Sequence, residues 1–283
     1  MYKTSVTLMK RTAIFIIIDS STSMKKYTLL NGMKIVKAEA AAFIANMIID
    51  ELYERAKRFD VTRDYYDIAV IGFSGDGVYS KLPGNHDLVP IYNFTEIEPQ
   101  PRTYHLEQRL HDGSLATIPY IIHPWIEAEA HGTSPLFEAM VRTKDLIERW
   151  CADKQNSYSL PPIIFNITDG DCFDDDAWSL IDVANDIMTT STTRGKSLLI
   201  NIVLRTIGEE DDNLPLFPTD ADFYSTKRSH MILLRMSSIL SHEVSEQIKK
   251  VFRLKHDGPY RGLAYDTSII RLLHLVSIGT DPS

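Results

Sequence analysis

Hydrophobic and polar residues follow one another along this chain in blocks that predict strands and helices in alternation. Residues 13–18 are continuously apolar and rich in β-branched side chains, which is typical of a strand buried on both faces of a parallel sheet. Residues 66–73, 163–168 and 197–204 have the same character. The pattern predicts a Rossmann-like, doubly wound α/β fold with a mostly parallel central sheet, one antiparallel edge strand and helices on both faces.

The helical segments show apolar residues at steps of three and four. A long helix is predicted over about residues 33–58, and another after Ser134, interpreted as its N-cap, and Pro135, interpreted as its first residue. The inward stripe of that second helix is predicted to contain Leu136, Ala139, Met140, Thr143, Ile147 and Trp150. Further elements are predicted as helices over residues 174–190, 242–252 and 267–276 and a last strand over residues 231–236.

Between the second strand and the second long helix the pattern weakens. A Gly-Asp-Gly turn at residues 75–77 leads into a predicted antiparallel edge strand over residues 78–82. Residues 83–130 are interrupted by prolines and predict an elaborated loop region with short strands. Tyr120, Trp125 and Ile126 in this region fit either an exposed recognition face or a satellite core.

Length and composition fit a single globular domain. The 283 residues, of which 44% are hydrophobic, suffice for a large core over about residues 12–236, followed by a helical extension over about residues 237–283. The net charge of −8 argues against nucleic acid and anionic membrane as partners. No apolar segment reaches membrane length, so the expected location is the cytoplasm. Cys151 and Cys172 form no CxxC pair and are expected to be reduced thiols, with one disulfide left open.

Oxygen-bearing side chains are concentrated where predicted strands end. The first strand runs into Asp19, Ser21 and Ser23, Thr133 lies in the loop that enters the second long helix, and Asp169 follows the strand over residues 163–168. Open α/β sheets bind ligands at the carboxyl ends of their strands. Two carboxylates and three hydroxyls suit a hard divalent cation, so we expect Mg²⁺, with Mn²⁺ or Ca²⁺ as alternatives, and not a soft metal.

These motifs resemble the metal-ion-dependent adhesion site of von Willebrand factor A (VWA) and integrin I-like domains. The D-x-S-x-S run, the threonine of G-T-S-P-L and the aspartate of T-D-G match the family's five ligand positions in order, although Thr22 stands where many members have glycine. The resemblance implies that Ser21, Ser23 and Thr133 approach the metal directly and that Asp19 and Asp169 bind it partly through water. It also implies a partner protein that supplies a Glu or Asp carboxylate. A non-enzymatic adaptor role in a bacterial signalling or stress-response cassette is the expected setting.

Two other classes of function remain open. A Mg²⁺-dependent phosphoryl-transfer or hydrolytic enzyme would also place Asp19 over the ion, but the sequence has no P-loop, no G-x-G-x-x-G and no nucleophile elbow. A structural subunit whose metal only stiffens the loops is the third hypothesis. The acidic residues at Asp171 and 174–176 favour a helix start over an auxiliary cation site. His131 is either a rim residue of the site or an ordinary surface or core histidine.

Overall fold

The computed structural model describes residues 11–58, 61–109, 114–171, 177–208, 214, 216–221, 223, 225 and 227–265. Its strands, numbered along the chain, are β1 (Thr12–Asp19), β2 (Tyr27–Leu30), β3 (Met33–Val36), β4 (Lys57–Arg58), β5 (Val61–Thr62), β6 (Tyr66–Ser74), β7 (Gly77–Ser80), β8 (Val89–Pro90), β9 (Arg102–Arg109), β10 (Leu115–Ile122), β11 (Ile163–Thr168), β12 (Ser191–Thr192), β13 (Gly195–Lys196), β14 (Leu198–Val203) and β15 (Leu263–Tyr265). The α-helices are α1 (Lys37–Ala56), α2 (Leu136–Ala152), α3 (Ala177–Thr189), α4 (Arg228–Arg235) and α5 (His242–Phe252).

In the part of the chain that the structure describes, the central sheet has seven strands. Its order is β15-β14-β11-β1-β6-β7, and the short β8 also pairs with β6. Strands β15, β14, β11, β1 and β6 are parallel, while β7 and β8 run antiparallel to β6. The predicted fold class is therefore confirmed, including the antiparallel edge strand after the turn at residues 75–77.

Successive residues of the central strand face two different hydrophobic cores. Ile14, Ile16 and Ile18 pack in the core that contains α1, and Phe15 and Ile17 pack in the core that contains α2 and α3. Because helices cover both faces, every residue of β1 is buried. The inward stripe predicted for α2 is confirmed: all six of its residues are buried.

The long first helix begins later than predicted because a hairpin precedes it. Strands β2 and β3 are joined by Asn31 and Gly32, which both have positive φ, at 53° and 88°. This two-residue Asn-Gly connection is a strong hairpin signal that the helical reading of residues 33–58 overlooked. Helix α1 therefore starts at Lys37, and the chain before it forms an arm beside the carboxyl end of β1.

The region over residues 83–130 is more regular than the predicted elaborated loop. Strands β9 and β10 form an antiparallel hairpin of eight residues on each side. Trp125 and Ile126 are 5% and 3% exposed and belong to the core around α1, and Tyr120 packs against that core. These residues are core and not an exposed recognition face.

The chain after β14 also departs from the prediction. Residues 231–235 of the strand predicted over residues 231–236 belong to helix α4, and Met236 caps its C-terminus. A short apolar run does not distinguish a buried helix from a buried strand by its periodicity. Helix α5 has the predicted bounds, and β15 extends the parallel sheet beyond β14, an element that the pattern missed. The predicted helix over residues 267–276 and the start of the helix predicted at residue 174 lie outside the described residues. Among those described, no helix is both long and apolar enough to cross a membrane.

Candidate metal centre at the carboxyl end of the sheet

Two predicted ligands lie side by side at the ends of neighbouring strands. Asp19 ends β1 and Asp169 follows β11, and these strands pair in register from Ile14 with Ile163 to Ile18 with Ile167. Both aspartates are buried, at 1% and 7% exposure. The structure therefore brings two carboxylates, from sequence positions 150 residues apart, to one shielded place.

Neutral donors hold the carboxylate of Asp19. Its Oδ1 accepts a hydrogen bond from the Ser21 amide at 2.9 Å, and its Oδ2 accepts one from Thr168 Oγ1 at 3.2 Å. Burial raises the pKa of Asp19 to about 6, although the hydrogen bonds from Ser21 and Thr168 lower it, and the nearby charge of Asp169 raises it further. A cation placed here would relieve this electrostatic cost.

The two serines of the D-x-S-x-S run are turned toward each other. A short 3-10 helix over Thr22–Lys25 reverses the chain after Ser21, and the fully buried Met24 anchors it. As a result, Ser21 Oγ and Ser23 Oγ lie 2.9 Å apart. Adjacent ligands of octahedral Mg²⁺, each about 2.1 Å from the ion, are themselves about 3 Å apart. The serine pair therefore fits one edge of such a shell.

The loop that carries Thr133 is fastened by its backbone to residues 20–23, which we call the serine loop. The His131 amide donates to Ser20 O at 2.8 Å, and the Thr22 amide donates to Gly132 O at 3.0 Å. Thr133, which is exposed, directly follows Gly132, so these two bonds hold it close to the serine loop. The third predicted chain segment thus reaches the same end of the sheet.

Glycine is required for this close approach. Gly132 has a φ of 65°, and a Cβ atom built on it would lie 2.5 Å from Gly75 Cα in the β6–β7 turn. Any side chain here would collide with backbone, which has little freedom to move. The Thr133 loop is consequently held between the serine loop on one side and the β6–β7 turn on the other.

Ser134 does not cap helix α2 as predicted. Helix α2 begins at Leu136, because Pro135 has a non-helical ψ of 61°, and the Leu136 amide bonds the backbone oxygen of Ser134 instead. Ser134 Oγ is buried without a hydrogen-bond partner among the described residues. A buried hydroxyl left in this state next to Thr133 is costly in the absence of a further ligand.

A buried lysine that the sequence reading missed completes the centre. Lys37, the first residue of α1, is 1% exposed, and its Nζ donates to Asp169 Oδ2 at 3.0 Å. The other oxygen, Oδ1, accepts from the Asp171 amide at 3.1 Å. Lys37 lies one turn before Ala41 on the apolar stripe of the predicted helix, and a cation on a buried stripe needs a buried anion. The position of Lys37 on this stripe was therefore the sequence signal for a buried ion pair.

His131 and the acidic cluster that starts at Asp171 are two neighbours of the centre for which the sequence offered alternatives. His131 lies at the rim, where its Nε2 is 3.0 Å from Ser74 Oγ and 2.8 Å from Asp76 Oδ2. Asp171 pairs with Lys26 at 3.5 Å, and residues 174–176 of the acidic cluster lie outside the described residues. Asp171 therefore has a surface partner of its own.

The donor set fits a hard cation held by mixed oxygens. Within the described ranges, no three His, Cys, Asp or Glu side chains are grouped so that they could hold a metal ion. A metal at this centre would therefore depend on hydroxyls as well as on the two carboxylates, which is the chemistry of Mg²⁺ and Ca²⁺ and not of zinc. With the Lys37 ammonium counted, the centre carries a net charge of −1 before any ion binds.

Comparisons with known proteins give likenesses of fold only. No family model and no curated protein matches the sequence. The crystal structure of a conserved hypothetical protein, BatB from Bacteroides thetaiotaomicron, is similar over 68% of this chain and 66% of its own, with 16% identity and a TM-score of 0.36. That of an aerotolerance-related membrane protein from Bacteroides fragilis NCTC 9343, with multiple mutations to serines, is similar over 80% of this chain and 86% of its own, with 13% identity and a TM-score of 0.37. This chain thus spans just under two thirds of the BatB chain.

Proposed function

We propose that this chain is a VWA-type protein-binding module that holds one divalent cation, Mg²⁺ or, as alternatives, Mn²⁺ or Ca²⁺, and binds an acidic side chain of a partner protein with it. The observation that carries the proposal is the meeting of three distant chain segments at one end of the sheet. Asp19 and Asp169 are buried side by side, the Ser21 and Ser23 hydroxyls are 2.9 Å apart, and the Thr133 loop is bonded to the serine loop.

The roles of the residues follow from their charge. Asp19 and Asp169 would neutralise the ion, while Ser21, Ser23 and Thr133 would contribute oxygen without adding charge. When bound, the cation would supply a Lewis-acidic position. Because Lys37 already offsets one carboxylate, the loaded centre would keep a net positive charge, from two carboxylates, one ammonium and a divalent ion. That surplus favours an anionic ligand such as the carboxylate of Glu or Asp.

Binding, and not turnover, is the proposed activity. The carboxylates are anchored by backbone and hydroxyl donors, and Ser21 Oγ is paired with Ser23 Oγ, an arrangement suited to ligands that stay in place. The corresponding role in the cell is that of an adaptor, which binds a partner protein without chemically changing it.

Calorimetric titration of metal-stripped protein with Mg²⁺ and Mn²⁺ tests the proposal. We expect about one ion per chain for the wild type and loss of that binding in Asp19→Asn, which keeps the volume and removes the charge. Asp186→Asn is the matched control, since Asp186 is an exposed aspartate on α3 that pairs with Lys144. Equal metal binding by wild type and Asp19→Asn would reject the centre. Magnesium-dependent turnover of a generic phosphate or ester substrate that Asp19→Asn abolishes would replace the proposal with the enzyme hypothesis.

A further inference from the structure

The hairpin of β2 and β3 lies beside the candidate metal centre. It starts four residues after Ser23 and ends at the residue before Lys37. Its base is fastened on both sides, because the Lys37 amide donates to Lys26 O at 2.9 Å and the Ile207 amide donates to Tyr27 O at 3.0 Å. The hairpin therefore extends the same end of the molecule that holds the carboxylates.

The two faces of this hairpin differ. Thr28 and Leu30 are 0% and 1% exposed and face inward, whereas Tyr27 and Leu29 are 48% and 39% exposed. Lys34, which is exposed, lies opposite Leu29 on the neighbouring strand and places its ammonium 4.4 Å from the centre of the Tyr27 ring. An aromatic ring, an aliphatic side chain and a cation thus share the outward face.

The charge of this segment is opposite to that of the whole chain. Residues 24–37 contain four lysines and no acidic residue, in a chain whose net charge is −8. Lys37 is buried against Asp169, and Lys26 pairs with Asp171, so the basic character of the surface comes from Lys25 and Lys34. Lys25 is exposed at the foot of the hairpin. The basic and apolar surface therefore lies immediately next to the centre that is proposed to take a carboxylate.

We propose that the outward face of this hairpin, formed by Tyr27, Leu29 and Lys34 together with Lys25 at its foot, is a docking surface for an acidic segment of a partner protein that carries apolar side chains beside the carboxylate bound by the metal. The inference rests on the proposed function and adds the chemistry of the partner to it. The lysines select the acidic residues of the segment, while Tyr27 and Leu29 bury its apolar residues. Selectivity comes from the hairpin, and the metal supplies the anchor.

Two labelled synthetic peptides of equal length and charge provide the test, one alternating glutamate with leucine and the other alternating glutamate with glycine. Binding to the Mg²⁺-loaded full chain is followed by fluorescence anisotropy. We expect the glutamate-leucine peptide to bind about tenfold or more tightly than the glutamate-glycine peptide, since each buried leucine contributes favourable transfer free energy. The advantage should disappear in the double variant Tyr27→Ser/Leu29→Ser, and both peptides should weaken in Lys25→Gln/Lys34→Gln.

A matched control changes exposed residues outside the hairpin. Ile121→Ser/Tyr158→Ser removes two side chains that are 69% and 71% exposed on β10 and before β11, and it should bind both peptides within about twofold of the wild type. Each hairpin variant is also titrated with Mg²⁺ alone, and its metal affinity should equal that of the wild type. The same titration reports whether the variant is folded.

The outcomes separate the two proposals. Unchanged peptide preference in the hairpin variants, or no binding of either peptide to the loaded wild type, overturns the docking surface while the metal centre stands on its own titration. Hairpin-dependent binding that persists in EDTA supports the docking surface and overturns the role of the metal. Loss of the preference in the hairpin variants, with Mg²⁺ affinity intact and binding abolished by EDTA, supports both.

Discussion

Two buried aspartates lie at opposite ends of the same pair of strands and are treated in opposite ways. Asp67 lies near the amino end of β6, where its carboxylate accepts from Arg11 Nε at 3.1 Å and from Trp150 Nε1 at 2.7 Å. Asp19 lies at the carboxyl end of β1, where its two hydrogen-bond donors are neutral and a second carboxylate is nearby. Asp67 is satisfied within the fold, whereas Asp19 is held in place with its charge uncompensated. A buried carboxylate in this state is consistent with the proposed metal centre.

The largest expected effect on stability comes from removing the ammonium group of Lys37 at the end of the sheet where Asp19 lies. Lys37→Met keeps most of the side-chain volume but leaves Asp169 buried next to Asp19 with no ammonium. We expect metal-free protein to lose about 3 to 5 kcal/mol of unfolding free energy, the usual result of breaking a buried ion pair from one side. Urea denaturation measures this loss. Added Mg²⁺ should restore most of it, because the ion supplies the missing positive charge. A metal-free variant as stable as the wild type would show that Lys37 does not balance this centre.

A somewhat smaller loss is expected at the opposite end of the sheet. Asp67→Ala leaves the Trp150 indole N–H and the Arg11 guanidinium without their acceptor, and the Arg11 side chain is 26% exposed and can regain water. We expect about 2 to 4 kcal/mol of destabilisation by urea denaturation. Mg²⁺ should leave this loss unchanged, in contrast to Lys37→Met. Recovery on addition of Mg²⁺ would remove the distinction between the two aspartates.

The smallest of the three effects is a dependence on pH. The pKa of Asp19 is about 6 in the folded chain against an ordinary value of 3.8, so the folded state holds the proton more tightly than the unfolded state. Stability of the metal-free protein should therefore fall as the pH rises from about 4 to about 6, by on the order of 2 to 3 kcal/mol, and then level off.

Other acids titrate in the same range, so the matched variant isolates this contribution. Asp19→Asn should lack this part of the decline and be more stable than the wild type at pH 7 without metal. Denaturation curves at several pH values for both proteins give the difference. Parallel pH profiles for the two proteins would contradict an uncompensated charge at Asp19.

The sequence predicted the structure best where apolar residues form a regular pattern along one element, and where polar residues directly follow a buried strand. The continuous apolar runs predicted the main parallel strands, and polar residues directly after them predicted Asp19 and Asp169 at one edge. Elements set by tertiary contacts were harder to predict. The strand β15 is three residues long and exists because it pairs with β14, and the residues of α4 read equally well as a strand in isolation.

The meeting of these residues at one end of the sheet was predictable from the sequence, and their surroundings were not. A D-x-S-x-S run names hydroxyl and carboxyl groups, but the burial of Lys37 and its bond to Asp169 join residues 132 positions apart. No local pattern specifies such a pair. The hairpin of β2 and β3 is a different case, since Asn31 and Gly32 carried the signal and the helical periodicity that follows them obscured it.

The contact between Gly75 and Gly132 has a consequence for motion. Because the two backbones are in contact with no side chain between them, the Thr133 loop cannot move closer to the β6–β7 turn. Movement in the opposite direction would leave the amides of Thr22 and His131 without their hydrogen-bond acceptors. We therefore expect the β6–β7 turn, the serine loop and the Thr133 loop to move together as one unit.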